Sequence, residues 1–295
     1  MMAETTETGA AWENPLIPNA KLRQIYRAMV RLRTLARALP AGRRDGLGME
    51  ACLASTSVDL GPGDLVSDAL AGGVVEFLRG ATLGAVLRPG GKTGRGPKAE
   101  CGAAAQMPGG MGIAERIWAV LGAAAALQAA AAQTRVESKA AGESPKDGRV
   151  VVAYVRPGEV PAALWRKALK FAVKQELPVV FVVLPARGAK RAGGVTALAL
   201  ECGVPAIPVD ADDAVAIFRV AQESIGRARI GGGVALMECV PFVLAGAAGK
   251  RNAASDGIAG LERYLLERKV VSKVWMGSEA RSFAKRVARE QAATK

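Results

Sequence analysis

The sequence predicts an α/β protein with a doubly wound, mostly parallel sheet and helices on both faces. Three observations carry this. Two β-branched runs, 150–155 and 179–184, are apolar without alternation, as strands buried on both faces of a parallel sheet are. Between them Val160, Leu164, Trp165, Ala168, Leu169 and Ala172 recur at helical spacing, so about forty residues form a βαβ unit with a right-handed crossover. The same alternation of helix and strand then continues to about residue 243. The loop Arg156-Pro157-Gly158 after the first strand falls at the carboxyl end of the sheet, where open α/β sheets bind ligands.

In chain order, residues 1–18 read as a mobile arm with Pro15 and Pro18 near its end. Residues 19–295 read as one domain with a helical C-terminal extension from about 257. Asn19 is placed to cap a helix over 21–39 that buries Leu22, Ile25, Tyr26, Met29, Leu32, Ala36 and Leu39. Arg23, Arg27, Arg31 and Arg33 then spread over its other side, as a solvated basic face or as a binding surface. A second helix follows in GMEACLASTSVDL (48–60), closed by the Gly61-Pro62-Gly63 turn, and 64–87 becomes helical towards its end.

Residues 88–112 are Gly-rich and basic. Their GGKT resembles part of a P-loop but fails as one: Val86 stands where the first glycine is required, and no buried strand precedes it. A loop able to close over an anion fits better. An alanine-rich helix over 114–132 leads through a polar connector, 138–148, into the central unit. Beyond it come a helix over 196–202, a strand over 206–209, and a helix over 214–229 capped by Asp212 or Asp213. A strand over 234–243 and a loop over 245–256 follow. The remainder is helical, with Leu261, Tyr264, Leu265, Phe283 and Val287 facing inward.

Composition narrows the chemistry. The chain has no histidine, which excludes His-based triads and the commonest zinc sites. Its formal charge is +13, which favours acidic ligands, and the charge is clustered: 21–44 carries eight basic residues and no acidic one. Aromatic residues make up 4%, too few to interleave with the basic ones as a stacking platform for nucleic acid. Cys52, Cys101, Cys202 and Cys239 are far apart and read as buried free thiols. The first twenty residues lack a secretory signal, and the weakly apolar run 117–132 is short for a membrane span, so the expectation is a cytoplasmic protein.

Several segments together resemble the alpha subunit of the thiamine-diphosphate-dependent dehydrogenase component of 2-oxo-acid (pyruvate, branched-chain, acetoin) dehydrogenase complexes. LRQIYRAMVRLRTLARAL (22–39) is similar to that family's opening helix, and GMEACLASTSVDLGPGDLV (48–66) to its Gly-Gln-Glu-Ala helix and the turn after it. RVVVAYV…ALKFAVKQELPVVFVV (149–183) resembles the strand, helix and Leu-Pro strand flanking the cofactor, and DGIAGLERYLLERKVVS (256–272) the closing helix. The resemblance runs in unbroken order from about 20 to 290.

It implies the thiamine-diphosphate-binding fold and assembly as a homo-oligomer or with a beta-type subunit. In the family, Mg²⁺ bridges the diphosphate to an Asp in a Gly-Asp-Gly turn and to the second Asn of an Asn-Asn pair, both hard oxygen ligands. Laid onto this chain, the Gly-Asp-Gly turn falls on Arg156-Pro157-Gly158 and the Asn-Asn pair on Pro185-Ala186. The metal-ligand positions are therefore Pro157 and Ala186, neither with a side-chain oxygen. A further Asn falls at Pro161, the phosphate-binding Tyr-Arg pair near Leu70-Ala71, and the His-Gly-His segment within 245–250. What is left at the sheet edge is Arg156, Gly158, Glu159 and Arg187, with Lys190 and Arg191 nearby, as a remnant or a small-anion pocket. Glu159 is either a substitute carboxylate or a dipole-stabilising residue at a helix start.

The expectation is a non-catalytic structural or regulatory relative, with no catalytic residue, no metal and no cofactor. Two alternatives stay open. One is an active dehydrogenase component that holds thiamine diphosphate and magnesium with a beta subunit, decarboxylates a 2-oxo acid or acetoin and passes the acyl group to a lipoyl acceptor. The other is a basic anion- or nucleic-acid-binding protein that uses 21–44 or 88–98.

Overall fold

Valine runs build the centre of the molecule. β3 (Val151–Val155) and β4 (Val179–Val183) pair in parallel from Val151 with Val179 to Val155 with Val183, and every residue of both is buried. Branching at Cβ suits these side chains to a pleated, covered surface. The structure is a computed structural model that describes residues 16–70, 72–88, 105–140, 148–185, 194–241 and 256–294. β1 (Leu65–Ser67) pairs with β3, and β2 (Ala105–Gln106) with β1. On the other side β6 (Ala235–Val240) pairs with β4, and β5 (Ala206–Asp210) closes the edge. The order is β2-β1-β3-β4-β6-β5, and every pairing is parallel. Pro208, which has no N–H to give a further neighbour, suits β5 to its edge position.

Successive residues of β3 and β4 feed two cores. Val150, Val152, Tyr154, Val180 and Val182 pack beneath α1 (Asn19–Ala38), α2 (Glu50–Ser57), α8 (Ala214–Arg229) and α9 (Gly257–Glu267). Val151, Ala153, Val155, Val179, Phe181 and Val183 pack on the opposite face with α5 (Ile113–Ala140), α6 (Ala162–Lys174) and α7 (Val195–Glu201). Helices on both faces of a parallel sheet are the doubly wound architecture expected. A smaller cluster joins α3 (Val74–Leu78), α4 (Leu83–Leu87) and α10 (Lys273–Thr294) through Phe77, Leu83, Val86, Phe283 and Val287.

Tyr154 ties the sheet to α2: its hydroxyl lies 2.7 Å from Thr56 Oγ1 and 2.9 Å from Ser57 Oγ. Burial pushes this phenol up to about 12, against the pull of those hydroxyls. Asp64 makes a second tie, accepting the Gly61 and Val150 amides at 2.7 and 3.0 Å and Arg229 Nη2 at 2.6 Å. Beside it Gly148 meets Arg229 so closely that a Cβ would lie 2.3 Å from the Arg229 carbonyl oxygen.

Several expectations need correction. Asn19 lies inside α1, whose cap position is held by Pro18; proline next to a helix start loses nothing by lacking an N–H. Ile17 is fully buried, so the end of the expected arm belongs to the fold, while 1–15 lie outside the described residues. The 64–87 stretch opens with a strand before its two short helices. The alanine-rich helix runs to Ala140, into the expected connector, and its Ile113–Thr134 portion is by length and composition sufficient to cross a membrane. Asp213, not Asp212, caps α8, accepting the Val215 and Ala216 amides at 3.0 and 2.9 Å. Cys52, Cys202 and Cys239 are buried and free, as expected; Cys101 lies outside the described residues.

The largest correction concerns the basic side of α1, most of whose cations are paired with groups of the chain itself. Arg33 makes a fork onto Glu50 of α2, at 3.0 and 3.1 Å, and reaches Asp256 at the start of α9 at 2.7 Å. Arg27 donates through Nε and Nη2 to the two carboxylate oxygens of Glu279 of α10, each at 3.0 Å, and Arg31 reaches the same carboxylate at 3.4 Å. Arg23 donates to the Val270 carbonyl and Lys21 pairs with Asp59. The cations of α1 fasten the C-terminal helices to the N-terminal one.

Candidate functional site

The carboxyl ends of β1 and β3 meet in a buried polar cluster. After β1 the chain turns at Asp68, whose carboxylate accepts the Leu70 amide at 2.9 Å and Gln106 Nε2 at 2.6 Å. After β3 it turns through Arg156-Pro157-Gly158-Glu159, closed by the Glu159 amide on the Arg156 carbonyl at 3.1 Å. Gly158 takes a φ of +75°, which the third position of such a turn demands and glycine accepts without strain.

Arg116 enters from the first turns of α5. Its guanidinium donates to the Tyr154 carbonyl at 2.8 Å and to Glu159 Oε1 at 2.9 Å, and the residue is 3% exposed. The other Glu159 oxygen accepts the Arg156 amide at 2.9 Å. The Arg156 guanidinium turns away to pair with Asp45, which precedes α2. Glu159 is thus not at a helix start, because α6 begins at Ala162; its carboxylate closes the turn and neutralises Arg116.

Two carboxyls are pushed up. Burial raises Asp68, although the Leu70 amide, Gln106, Arg79 and Arg116 pull the other way. Burial and then the neighbouring Asp68 charge raise Glu76. Below the ordinary carboxylate range both groups are protonated whether the chain is folded or not. As pH rises the unfolded chain ionises first, so stability falls until the folded-state groups ionise too. D68N should therefore gain on the natural protein between acidic and neutral pH, by about 1 kcal/mol. Gln106 Oε1 has no partner among the described residues, so its amide can turn over to accept the new N–H₂. Urea unfolding across a pH series checks this; parallel curves for the two proteins would show that Asp68 carries no such cost.

Among the residues expected at this edge, Arg156, Gly158, Glu159 and Pro157 share one turn, and Pro161 holds the cap position of α6. Arg187, Ala186, Lys190 and Arg191, the 88–98 loop beyond Arg88, and 245–250 lie outside the described residues. No group of three or more His, Cys, Asp or Glu side chains suited to a metal comes together among the described residues. Asp68, Gln106, Arg116 and Asp45 were not singled out by the sequence. Arg116 left a trace: it is followed by eighteen residues without a charge, which is where a buried, paired cation would stand out.

Residues 48–246 match the family described as the dehydrogenase E1 component. The chain belongs to this family. The E1 match takes in α2, the whole sheet and the polar cluster, whereas α1, α9 and α10 lie beyond it. The chain is 31% identical over 101 residues to the alpha subunit of acetoin:2,6-dichlorophenolindophenol oxidoreductase of Bacillus subtilis (strain 168), covering 32% of this chain and 30% of that subunit. It is 30% identical over 158 residues to the chloroplastic pyruvate dehydrogenase E1 component subunit alpha-3 of Arabidopsis thaliana, covering 47% of this chain and 36% of that protein. The matches span about a third of the length of these curated relatives. In this alpha-subunit-like E1 chain, the turn after β3 is held by arginine–carboxylate pairs of the chain itself.

Proposed function

We propose that this chain is a non-catalytic E1 relative, a cytoplasmic structural or regulatory subunit that keeps the fold and its surfaces for a beta-type subunit or a second copy of itself. The observation that carries the reading is the state of Glu159, the acidic residue of the β3–α6 turn. One of its oxygens is taken by Arg116 and the other by the Arg156 amide.

The described residues do not fit a magnesium-bridged diphosphate. Magnesium needs near-octahedral hard oxygens and gives up its waters reluctantly. Position 157 offers a proline with neither a side-chain oxygen nor an N–H, and Glu159 would have to abandon a buried arginine to serve. At the neighbouring strand end, Asp68 places a carboxylate where an incoming diphosphate would add further negative charge, and that carboxylate already takes up the Leu70 amide. Arg156, one of the cations expected to bind an anion, is engaged by Asp45, while Arg187, Lys190 and Arg191 lie outside the described residues.

A second reading, an active dehydrogenase component acting on a 2-oxo acid or acetoin with a beta subunit, draws support from the names of the relatives, both alpha subunits of oxidoreductases. The basic-surface reading loses part of its support on α1, where Lys21, Arg27, Arg31 and Arg33 are paired within the fold; the 88–98 segment it also invoked lies outside the described residues beyond Arg88.

Calorimetric titration of Mg²⁺–thiamine diphosphate into the protein, purified with its native partners, separates the first two. The expected result is no saturable heat. Micromolar saturable binding, with about 2.7 kcal/mol of stabilisation at a hundredfold excess over Kd, would overturn the proposal.

A further inference from the structure

We infer that the outer surface formed by α5 and α6 docks an acidic amphipathic helix of a partner protein, with Trp118 and Phe171 as its apolar anchor and Lys167, Lys170 and Lys174 as its charge contacts. The inference goes beyond the reading of the sheet edge and does not depend on it.

Aromatic residues are scarce in this chain, yet two of them stand together in solvent. Trp118 of α5 is 42% exposed and Phe171 of α6 is 41% exposed, and their rings meet edge to face at 5.9 Å. Such a pair is rigid and large, the kind of group that dominates binding at interfaces. Phe171 lies between Lys167 and Lys174 at i−4 and i+3 on one exposed stripe of α6, with exposed Lys170 beside it. No carboxylate among the described residues pairs with these three lysines, whereas the neighbouring Arg166 already pairs with Glu201. Glu115, three residues before Trp118, is turned back onto the Gly112 amide at 3.1 Å.

α5 extends the surface. It buries Ile117, Val120, Leu121 and Ala124, but its exposed positions from Trp118 to Ala130 are Trp118, Gly122, Ala126, Ala129 and Ala130, with no charged residue among them. A helix apolar on its outer as well as its inner side calls for a cover.

Charge decides the occupant. A second copy applied through a twofold axis would bring lysines against lysines. A bilayer interface is better served by a row of bulky apolar side chains than by alanines and glycines. A helix from another protein can approach those small residues closely, lay its apolar face over Trp118 and Phe171, and set Asp or Glu against the lysines.

The test uses the full chain and a labelled helical peptide of about twenty residues, with leucine and alanine on one face and glutamates flanking it. A companion peptide carries lysine in place of each glutamate. By fluorescence anisotropy at low salt, the glutamate peptide should bind at least tenfold tighter than the lysine peptide, and salt should weaken it. K167E/K170E/K174E should reverse that preference, and W118A should weaken the glutamate peptide at least tenfold while circular dichroism stays unchanged. Equal binding of the two peptides, or no reversal in the triple variant, would overturn the inference. So would lysine-dependent binding of phosphatidylserine vesicles without peptide binding, which would make the surface a membrane contact. Self-association lost in F171A would also overturn it, because it would make the cover a second copy.

Discussion

Arg33→Met is expected to cost the fold about 3–5 kcal/mol, the usual penalty for removing one partner of a buried ion pair. Methionine keeps much of the apolar stem, so the loss is electrostatic and not a cavity effect. The damage falls on Glu50, whose side chain is 3% exposed and would be left as a charge facing α1 with no guanidinium. Asp256, at 37%, would lean on water. Arg33 holds the Asp256 carboxyl below its ordinary value, so that part of the clamp is present at neutral pH and is lost as pH falls. Arg27 and Arg31 do the same to Glu279, outweighing partial burial, which pushes that carboxyl up. Urea unfolding should show a lower midpoint with an unchanged slope. R33M/E50Q should recover part of the loss; no recovery would mean that Glu50 is not the group left stranded.

Arg116→Met should cost a similar amount, about 3–5 kcal/mol, but should be felt locally first. It removes the donor to the Tyr154 carbonyl and leaves Glu159 without its cation. The Arg156 amide, which depends on the Glu159 carboxylate, should then lose protection from hydrogen exchange ahead of the amides of β4. E159Q keeps an oxygen for that amide and should cost less. If the two variants proved equally mild, the pair would be an ornament of the turn, and the argument that Glu159 is fully engaged would fail.

The parts of this protein that could be read from sequence are those whose cause is local. Valines at 150–155 and 179–183 announce strands covered on both faces because the run is continuous, and both faces are covered. The α1 stripe from Leu22 to Leu39 was readable for the same reason. β1 escaped because three residues, Leu65-Val66-Ser67, make no pattern; its identity comes from pairing with β3. The pairing of α1's basic face escaped because its carboxylates come from other elements, Glu50 and Asp59 in and after α2 and Asp256 and Glu279 near the far end of the chain, and spacing within a helix carries no trace of them. At the sheet edge the turn itself was legible. What closes it was not, since Arg116 arrives from a helix that otherwise reads as plain alanine-rich packing.

The clamp between the two ends of the chain bears on how the protein is made. Synthesis runs from the N-terminus at roughly 5–20 residues per second. β1 must wait for β3, 86 residues later at the Asp64–Val150 contact, which takes roughly 4–17 s at that pace. Arg33 waits longer, for Asp256 lies 223 residues on, roughly 11–45 s of elongation. Through that interval the nascent α1 carries Arg27, Arg31 and Arg33 without α9 and α10, whose Asp256 and Glu279 will pair with them. α1 thus gains its full set of ion pairs only after α9 and α10 have been made, which places the closing of this clamp late in synthesis.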